Sequence, residues 1–313
     1  MPQTTITPLL FRVLLCILLL VSVTDVAHAA CTVQERGSLP FGATGGGILV
    51  PVLVNGIEAV FVLDTGAERS LVTPDAVRRL GLALDEWVST TTRGVGGIVE
   101  RPNAKPRSLT LGGVPLRRRT LNRDTSLTVG LLQTASGDGR PVDGLLGRDF
   151  LSLFDLYLDM QKRRLILYDV QGCTGRFLPW TGNYAGLMAE MPMGSALVLP
   201  ITLDGRRLRA LLDTGATSSV IVSPGMYRLG LTPASMAQDP AGAAHGIGPQ
   251  SPVMRRHRFT SFQVGPYTKQ SPTLWVTPAH VTPIVDALLG ADWLAAQRQI
   301  WISFTTAQVF FAE

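Results

Sequence analysis

The chain repeats itself, and a repeat limits the architecture before any local reading is needed. Residues 48–56 (ILVPVLVNG) and 59–67 (AVFVLDTGA) return as 197–205 (LVLPITLDG) and 208–216 (LRALLDTGA), at a constant offset of 149 residues (213 − 64). The offset persists at Leu80-Gly81-Leu82 against Leu229-Gly230-Leu231. Residues 143–151 (DGLLGRDFL) then match 286–294 (DALLGADWL) at an offset of 143 (286 − 143), and each copy closes on an apolar strand, 164–168 and 308–311. The expected organisation is two similar lobes, 30–170 with its repeat beginning near residue 44, and 195–313. Between them 171–194, rich in Gly, Pro and Met, reads as a linker.

Each lobe reads as mainly β. Asn55-Gly56 and Asp204-Gly205 stand between apolar runs, the signature of two-residue hairpin turns whose central positions both need positive φ. After each Asp-Thr-Gly a short helix is expected, with Thr73 or Ser223 as its cap, Pro74 or Pro224 at its first helical position and Gly81 or Gly230 at its exit. A second short helix is expected after Gly147 and Gly290. The Gly-rich stretches Gly94-Val95-Gly96-Gly97 and Gly246-Ile247-Gly248 fall where hairpin tips belong. The first lobe is longer before its Leu-Leu-Gly, and the extra stretch, around 122–141, reads as a surface loop or a specificity element.

A composition of 46% hydrophobic and 16% charged residues excludes disorder and collagen. The formal charge of +5 is spread without a dense basic run, so no nucleic acid partner is expected. At the N-terminus Arg12 precedes an apolar run, 13–23, and then Ala27-His28-Ala29, which reads as a signal peptide, 1–29, cleaved after Ala29. Eleven apolar residues fall short of the roughly 20 needed to span a bilayer, so no stable membrane insertion is expected after cleavage. The mature protein would be exported, periplasmic or secreted.

Cys16 leaves with the signal, and in an oxidising compartment Cys31 and Cys173 can form one bridge tying the two ends of the first lobe together; the alternative is two unpaired thiols. The remaining histidines, His245, His257 and His280, lack the spacing of metal ligands. No metal and no cofactor are expected.

A single Asp-Thr-Gly occurs by chance in roughly one chain in twenty of this length. Two copies at equivalent places in a repeat, each directly after a buried-type apolar run and each followed by Ala, are a different observation. A carboxylate there sits where desolvation disfavours its charge, so a role is expected for Asp64 and Asp213.

In Asp-Thr-Gly-Ala followed later by Leu-Leu-Gly, each present twice, the chain resembles the retropepsin-like (retroviral-type) aspartic proteases over nearly the whole mature length. The resemblance implies two β-barrel lobes related by pseudo-twofold symmetry, fused here in one chain as in the pepsin-like enzymes, so that a monomer holds an internal pseudo-dimer. It implies Asp64 and Asp213 as a shared catalytic dyad, Leu145-Leu146-Gly147 and Leu288-Leu289-Gly290 as strands passing beneath the catalytic loops, and hydrogen bonds of Thr65 and Thr214 across the lobe junction. The expected activity is that of an aspartic endopeptidase, a peptide hydrolase acting on extended polypeptides. The alternatives are two homodimeric sites, and a non-catalytic peptide-binding or scaffold protein that retained the fold.

The chemistry needs only these residue types. Two carboxylates about 3 Å apart cannot both ionise, so they share a proton, one acting as base and the other as acid. Gly66 and Gly215 leave room for the carboxylates and offer amides to them. Substrate would lie as an added β-strand between the dyad and the hairpin tips, placing Gly94, Gly96, Gly246 and Gly248 at the binding site. Ala67 and Ala216 replace the hydroxyl residue that in pepsin-like enzymes favours the ionised carboxylate, so activity is expected at mildly acidic pH. Glu68-Arg69-Ser70 against Thr217-Ser218-Ser219 makes the two sides of the site unlike.

Overall fold

Turn chemistry sets the first building block of each lobe. Asn55 and Gly56 have φ of 53° and 81°, Asp204 and Gly205 of 48° and 75°, the paired left-handed values that join Gly47–Val54 to Ile57–Leu63 and Val198–Leu203 to Arg206–Leu212. The same side chains then clasp a later loop. Asn55 Oδ1 accepts the N–H groups of Arg107 and Ser108, and Asp204 Oδ1 those of Thr260 and Ser261.

The computed structural model describes residues 30–44, 47–117, 125–132, 139, 141–244, 246, 248 and 250–312. Within it Cys31–Glu313 forms one compact unit. The expected signal segment, 1–29, lies outside the described residues.

Among the described residues the strands form three sheets. The first-lobe sheet runs Ala83–Gly94, Gly97–Lys105, Leu127–Val129, Leu71–Val72, Gly144–Leu146, Ile57–Leu63, Gly47–Val54, Leu109–Leu111, Val114–Pro115, with Gly42–Thr44 added beside Gly47–Val54. The second-lobe sheet repeats that order strand for strand, from Ala241–Ala243 through Val253–Arg258, Thr273–Val276, Val220–Ile221, Ala287–Leu289, Arg206–Leu212, Val198–Leu203 and Ser261–Val264 to Tyr267–Gln270. The sequence repeat is therefore a repeat of topology.

A six-stranded sheet joins the lobes. The first lobe supplies Thr32–Pro40, Arg164–Gln171 and Asp155–Asp159; the second supplies Gln299–Ser303 and Gln308–Ala312. The seam is the antiparallel pair Asp155–Asp159 with Gln299–Ser303, in register Leu156↔Ile302 and Leu158↔Ile300. The sixth strand, Tyr184–Met188, comes from the segment read as a linker and pairs with Gln308–Ala312. That segment is a structural strap as well as a connection, because its alternating half-buried residues match an open sheet edge.

Trp301, fully buried on this sheet, stacks on Tyr168 with centroids 4.5 Å apart and donates its indole N–H to Asp155 Oδ2. Phe177 and Trp180 meet it edge-on, and Phe310 in turn meets Phe177 edge-on. Beside this cluster Cys31 and Cys173 form a disulfide, so the bridge sits where Thr32 pairs with Gln171.

The short helices are Pro74–Arg79, Arg148–Leu151, Ser223–Arg228 and Ala291–Leu294. Thr73 caps the first, its hydroxyl accepting the Ala76 N–H at 3.2 Å. Ser223 does not cap the third; it is the first helical residue, and the capping position falls on Val222, which has no side-chain acceptor. Half of the extra first-lobe stretch, 122–141, lies outside the described residues, and its described part includes Leu127–Val129, the counterpart in sheet order of Thr273–Val276. That part belongs to the repeat and is no added loop.

Candidate active site

Strand Ile57–Leu63 ends in the core, with Phe61 and Leu63 fully buried, and the chain emerges at Asp64. Its neighbour Gly144–Leu146 runs parallel to it, Leu146 beside Leu63, and the Asp64 N–H donates to the Leu146 carbonyl at 2.9 Å. In the second lobe Leu289 stands beside Leu212 and accepts the Asp213 N–H at 3.0 Å. Each Leu-Leu-Gly thus fixes the point at which an Asp-Thr-Gly loop leaves its sheet.

The loop then folds its amides onto its own acid. Asp64 Oδ1 accepts the N–H groups of Gly66 (2.9 Å) and Ala67 (2.8 Å); Asp213 Oδ1 accepts those of Gly215 (3.1 Å) and Ala216 (2.9 Å). The glycines have a second task. A Cβ at Gly66 would overlap the Asp213 carboxylate, and one at Gly215 would overlap that of Asp64. Each lobe's glycine is the seat of the other lobe's acid, which brings the two carboxylates side by side and hydrogen-bonded to each other.

Thr65 and Thr214, both buried, lock this arrangement. The Thr65 hydroxyl donates to Leu212 O at 2.7 Å and accepts the Thr214 N–H at 3.1 Å. The Thr214 hydroxyl donates to Leu63 O at 2.5 Å and accepts the Thr65 N–H at 3.0 Å.

Both acids are half-buried. Burial raises the Asp64 carboxyl above the ordinary range, against the lowering effect of the Ala67 and Gly66 amides and of Arg148. Asp213 is pushed up to about 8, by burial first and by the negative charge of Asp64 second. Such a pair holds one proton between its members over a wide pH range.

The Gly-rich tips meet each other. Gly94 and Gly97 flank the turn between Ala83–Gly94 and Gly97–Lys105, and Gly96 O accepts the Gln250 N–H at 3.0 Å. Gly96 packs backbone to backbone on Gly248, and Gly246 lies against the Val95 side chain, so side chains at these three positions would collide with the opposite tip. His245 lies outside the described residues.

The aspartyl protease family model matches residues 50–150 and 199–293, the two repeats, each match containing one Asp-Thr-Gly and one Leu-Leu-Gly. The chain belongs to the aspartyl protease family. A search of the curated proteins finds no match. Among solved structures the protease is similar in fold to the aspartic proteinase from Irpex lacteus, with a TM-score of 0.51 and 13% identity over 90% of this chain and 97% of that one.

Ser70 and Ser219, read from the sequence as part of two unlike flanks of the site, make equivalent clamps. Ser70 receives the Gly147 N–H on its hydroxyl and donates that hydroxyl to Asp149 (2.6 Å), which also accepts the Ser70 amide. Ser219, Gly290 and Asp292 repeat the set, with a 2.7 Å hydroxyl bond. These clamps tie each catalytic loop to the turn after Leu-Leu-Gly. Asp143, buried at the start of its strand, accepts the Val60 N–H and pairs with Arg79; Asp286 does the same with the Arg209 N–H and Arg228. The signal was present in the repeat itself, since both aspartates of DGLLGRD recur in DALLGAD.

Among the described residues no group of His, Cys, Asp and Glu side chains could hold a metal, and no helix is long and apolar enough to cross a membrane.

Proposed function

We propose that this protease is an aspartic endopeptidase whose single site is built from Asp64 of one lobe and Asp213 of the other. The observation that carries the reading is the exchange of seats: each carboxylate rests on the glycine of the opposite Asp-Thr-Gly, so one chain supplies both halves.

The ionised carboxylate takes a proton from a water lying between the acids while that water's oxygen attacks the scissile carbonyl carbon. The protonated carboxyl gives its proton to the carbonyl oxygen, and a neutral gem-diol forms with no covalent intermediate. Collapse reverses the roles. One diol hydroxyl returns its proton to the dyad, the dyad protonates the nitrogen, the C–N bond breaks, and the pair is restored to one proton.

Substrate enters as an extended strand between the dyad and the tips at Gly96 and Gly248, where backbone hydrogen bonds hold it and alternate side chains find apolar pockets. The disulfide and the expected signal segment favour an exported enzyme working in an oxidising compartment.

The test is incubation of the mature chain with denatured protein between pH 3 and 7, with and without a diol-mimicking inhibitor. Cleavage that the inhibitor blocks, abolished by D64N and by D213N separately in a monomer, is the expected result. No cleavage by an intact fold would favour the peptide-binding alternative.

A further inference from the structure

The two lobes agree in backbone around the dyad and disagree in charge. Arg148 and Ala291 occupy the same place, directly after Leu-Leu-Gly; Arg148 N–H donates to Ala67 O at 2.9 Å and Ala291 N–H to Ala216 O at 2.8 Å. Both are thus hydrogen-bonded to the residue that follows a catalytic Asp-Thr-Gly. Only the first lobe places a guanidinium there, and it is 4% exposed.

We infer that Arg148 breaks the electrical symmetry of the dyad, holding Asp64 as the ionised base and leaving Asp213 as the proton donor to the scissile carbonyl. The inference rests on the protease reading above and adds to it a division of roles and a positioning residue.

A guanidinium stays protonated at any working pH, so one this deeply buried needs anions near it. Its hydrogen bonds do not supply them: one η nitrogen donates to the Met193 carbonyl at 3.2 Å, and Nε has no partner among the described residues. The charged groups that act on it are Glu68, Asp64, Asp149 and Asp213, in falling order of influence. Asp149 is shared with the Ser70 clamp and with Arg69, 4.0 Å away. Glu68, the strongest of these influences, is exposed, so water screens part of its charge and it competes with the dyad for the guanidinium without satisfying it.

The remaining field falls on the dyad, on Asp64 more than on Asp213. Asp64 feels Arg148 as a lowering influence, whereas the main charge acting on Asp213 is Asp64 itself. Across the junction the positions equivalent to Glu68, Arg69 and Arg148 are Thr217, Ser218 and Ala291, all neutral, so nothing of the same kind supports a charge on Asp213. The polarity of the pair then follows: water loses its proton toward Asp64, and the carbonyl oxygen gains one from Asp213.

The experiment compares wild type, R148A, R148K and E68Q in two readouts, kcat/KM against pH and thermal midpoint against pH. R148A copies the second lobe, and its acidic limb should move up by about one pH unit, so that activity on that limb falls about tenfold while the plateau changes far less. R148K, which keeps the charge, should hold the limb within a few tenths of a unit of wild type. E68Q, a change at an exposed side chain with little bearing on folding, should move the limb down, because it removes an anion that competes for Arg148.

A limb that stays in place in both R148A and E68Q, with R148A merely slower at every pH, would overturn the inference and make Arg148 a packing residue. If R148A does not fold, R148Q decides in its place: an upward shift of the limb supports the inference, an unmoved limb overturns it. The melting profile needs no turnover. A wild type that cleaves nothing, yet whose pH-dependent step in midpoint moves with R148A and E68Q as described, would remove the protease reading and leave the charge assignment standing; a step that does not move would remove the assignment.

Discussion

The Thr65 hydroxyl accepts the Thr214 backbone N–H at 3.1 Å while the Thr214 hydroxyl accepts that of Thr65 at 3.0 Å. Each hydroxyl also donates to a carbonyl of the opposite lobe, Leu212 or Leu63, one residue before the catalytic acid. Dyad geometry and lobe association are therefore one network, which has consequences for both activity and stability.

Thr214→Val keeps the shape and removes the hydroxyl, stranding the Thr65 N–H and the Leu63 carbonyl in a buried site. The expected loss is about 2–4 kcal/mol, since each unsatisfied buried group costs roughly 1–3. Thr65→Val should cost about the same, the double variant less than the sum because the bonds are shared, and Thr214→Ser about 1 kcal/mol or less. Urea denaturation measures all four. Additive effects would show that the two hydroxyls act independently.

Activity should peak at mildly acidic pH. Burial raises both members of the dyad, and the only donors that the loops offer to Asp64 and Asp213 from positions 67 and 216 are backbone amides. A carboxylate given fewer donors gains its charge at higher pH. The profile of kcat/KM against a chromogenic peptide checks this, and an optimum near pH 2 would contradict it.

The same burial predicts how stability depends on pH. Asp213 titrates near 8 in the folded chain against an ordinary value of 3.8, so between those values the folded state holds a proton that the unfolded chain has released. Stability should accordingly be highest near pH 4 and fall as pH rises toward 8. Asp213→Asn, which mimics the protonated acid and cannot ionise, should melt close to wild type at pH 4 and several degrees higher at pH 8, each kcal/mol moving the midpoint by roughly 2–4 °C. Equal midpoint differences at the two pH values would show that the dyad does not carry the dependence.

Much of this was legible in the chain because the two lobes print each local rule twice. Asn55-Gly56 and Asp204-Gly205 could be placed in turns from their φ requirement alone, and the apolar runs before Asp64 and Asp213 showed where strands end in the core. The Ser70–Asp149 and Ser219–Asp292 clamps escaped because a serine and an aspartate far apart in sequence carry no periodicity to connect them. Tyr184–Met188 escaped for another reason: its strand exists only because Gln308–Ala312 offers an edge, a tertiary cause that composition cannot show. Arg148 was hidden by its ordinary setting, a cation opening a helix, and only its burial beside the dyad distinguishes it.

The Cys31–Cys173 bridge closes 142 residues of sequence and lies where the first strand of the six-stranded sheet begins. That strand, Thr32–Pro40, has a neighbour on one side only, Arg164–Gln171, with a register shift between Glu35 and Gly37. An edge strand paired on one side only frays readily, and its partner leads directly into the strap that pairs with Gln308–Ala312. A cross-link over so long a loop restricts the unfolded chain most, and its removal typically costs about 2–5 kcal/mol. Cys31→Ser with Cys173→Ser should therefore lower the unfolding free energy by that amount, with a lower urea midpoint and a steeper slope because the unfolded chain is released, and hydrogen exchange should quicken first at Thr32–Pro40 while the loops at Asp64 and Asp213 keep their protection. Equal protection of the first strand in both proteins would mean that pairing with Arg164–Gln171 is enough to hold it and that the bridge acts on the unfolded chain alone.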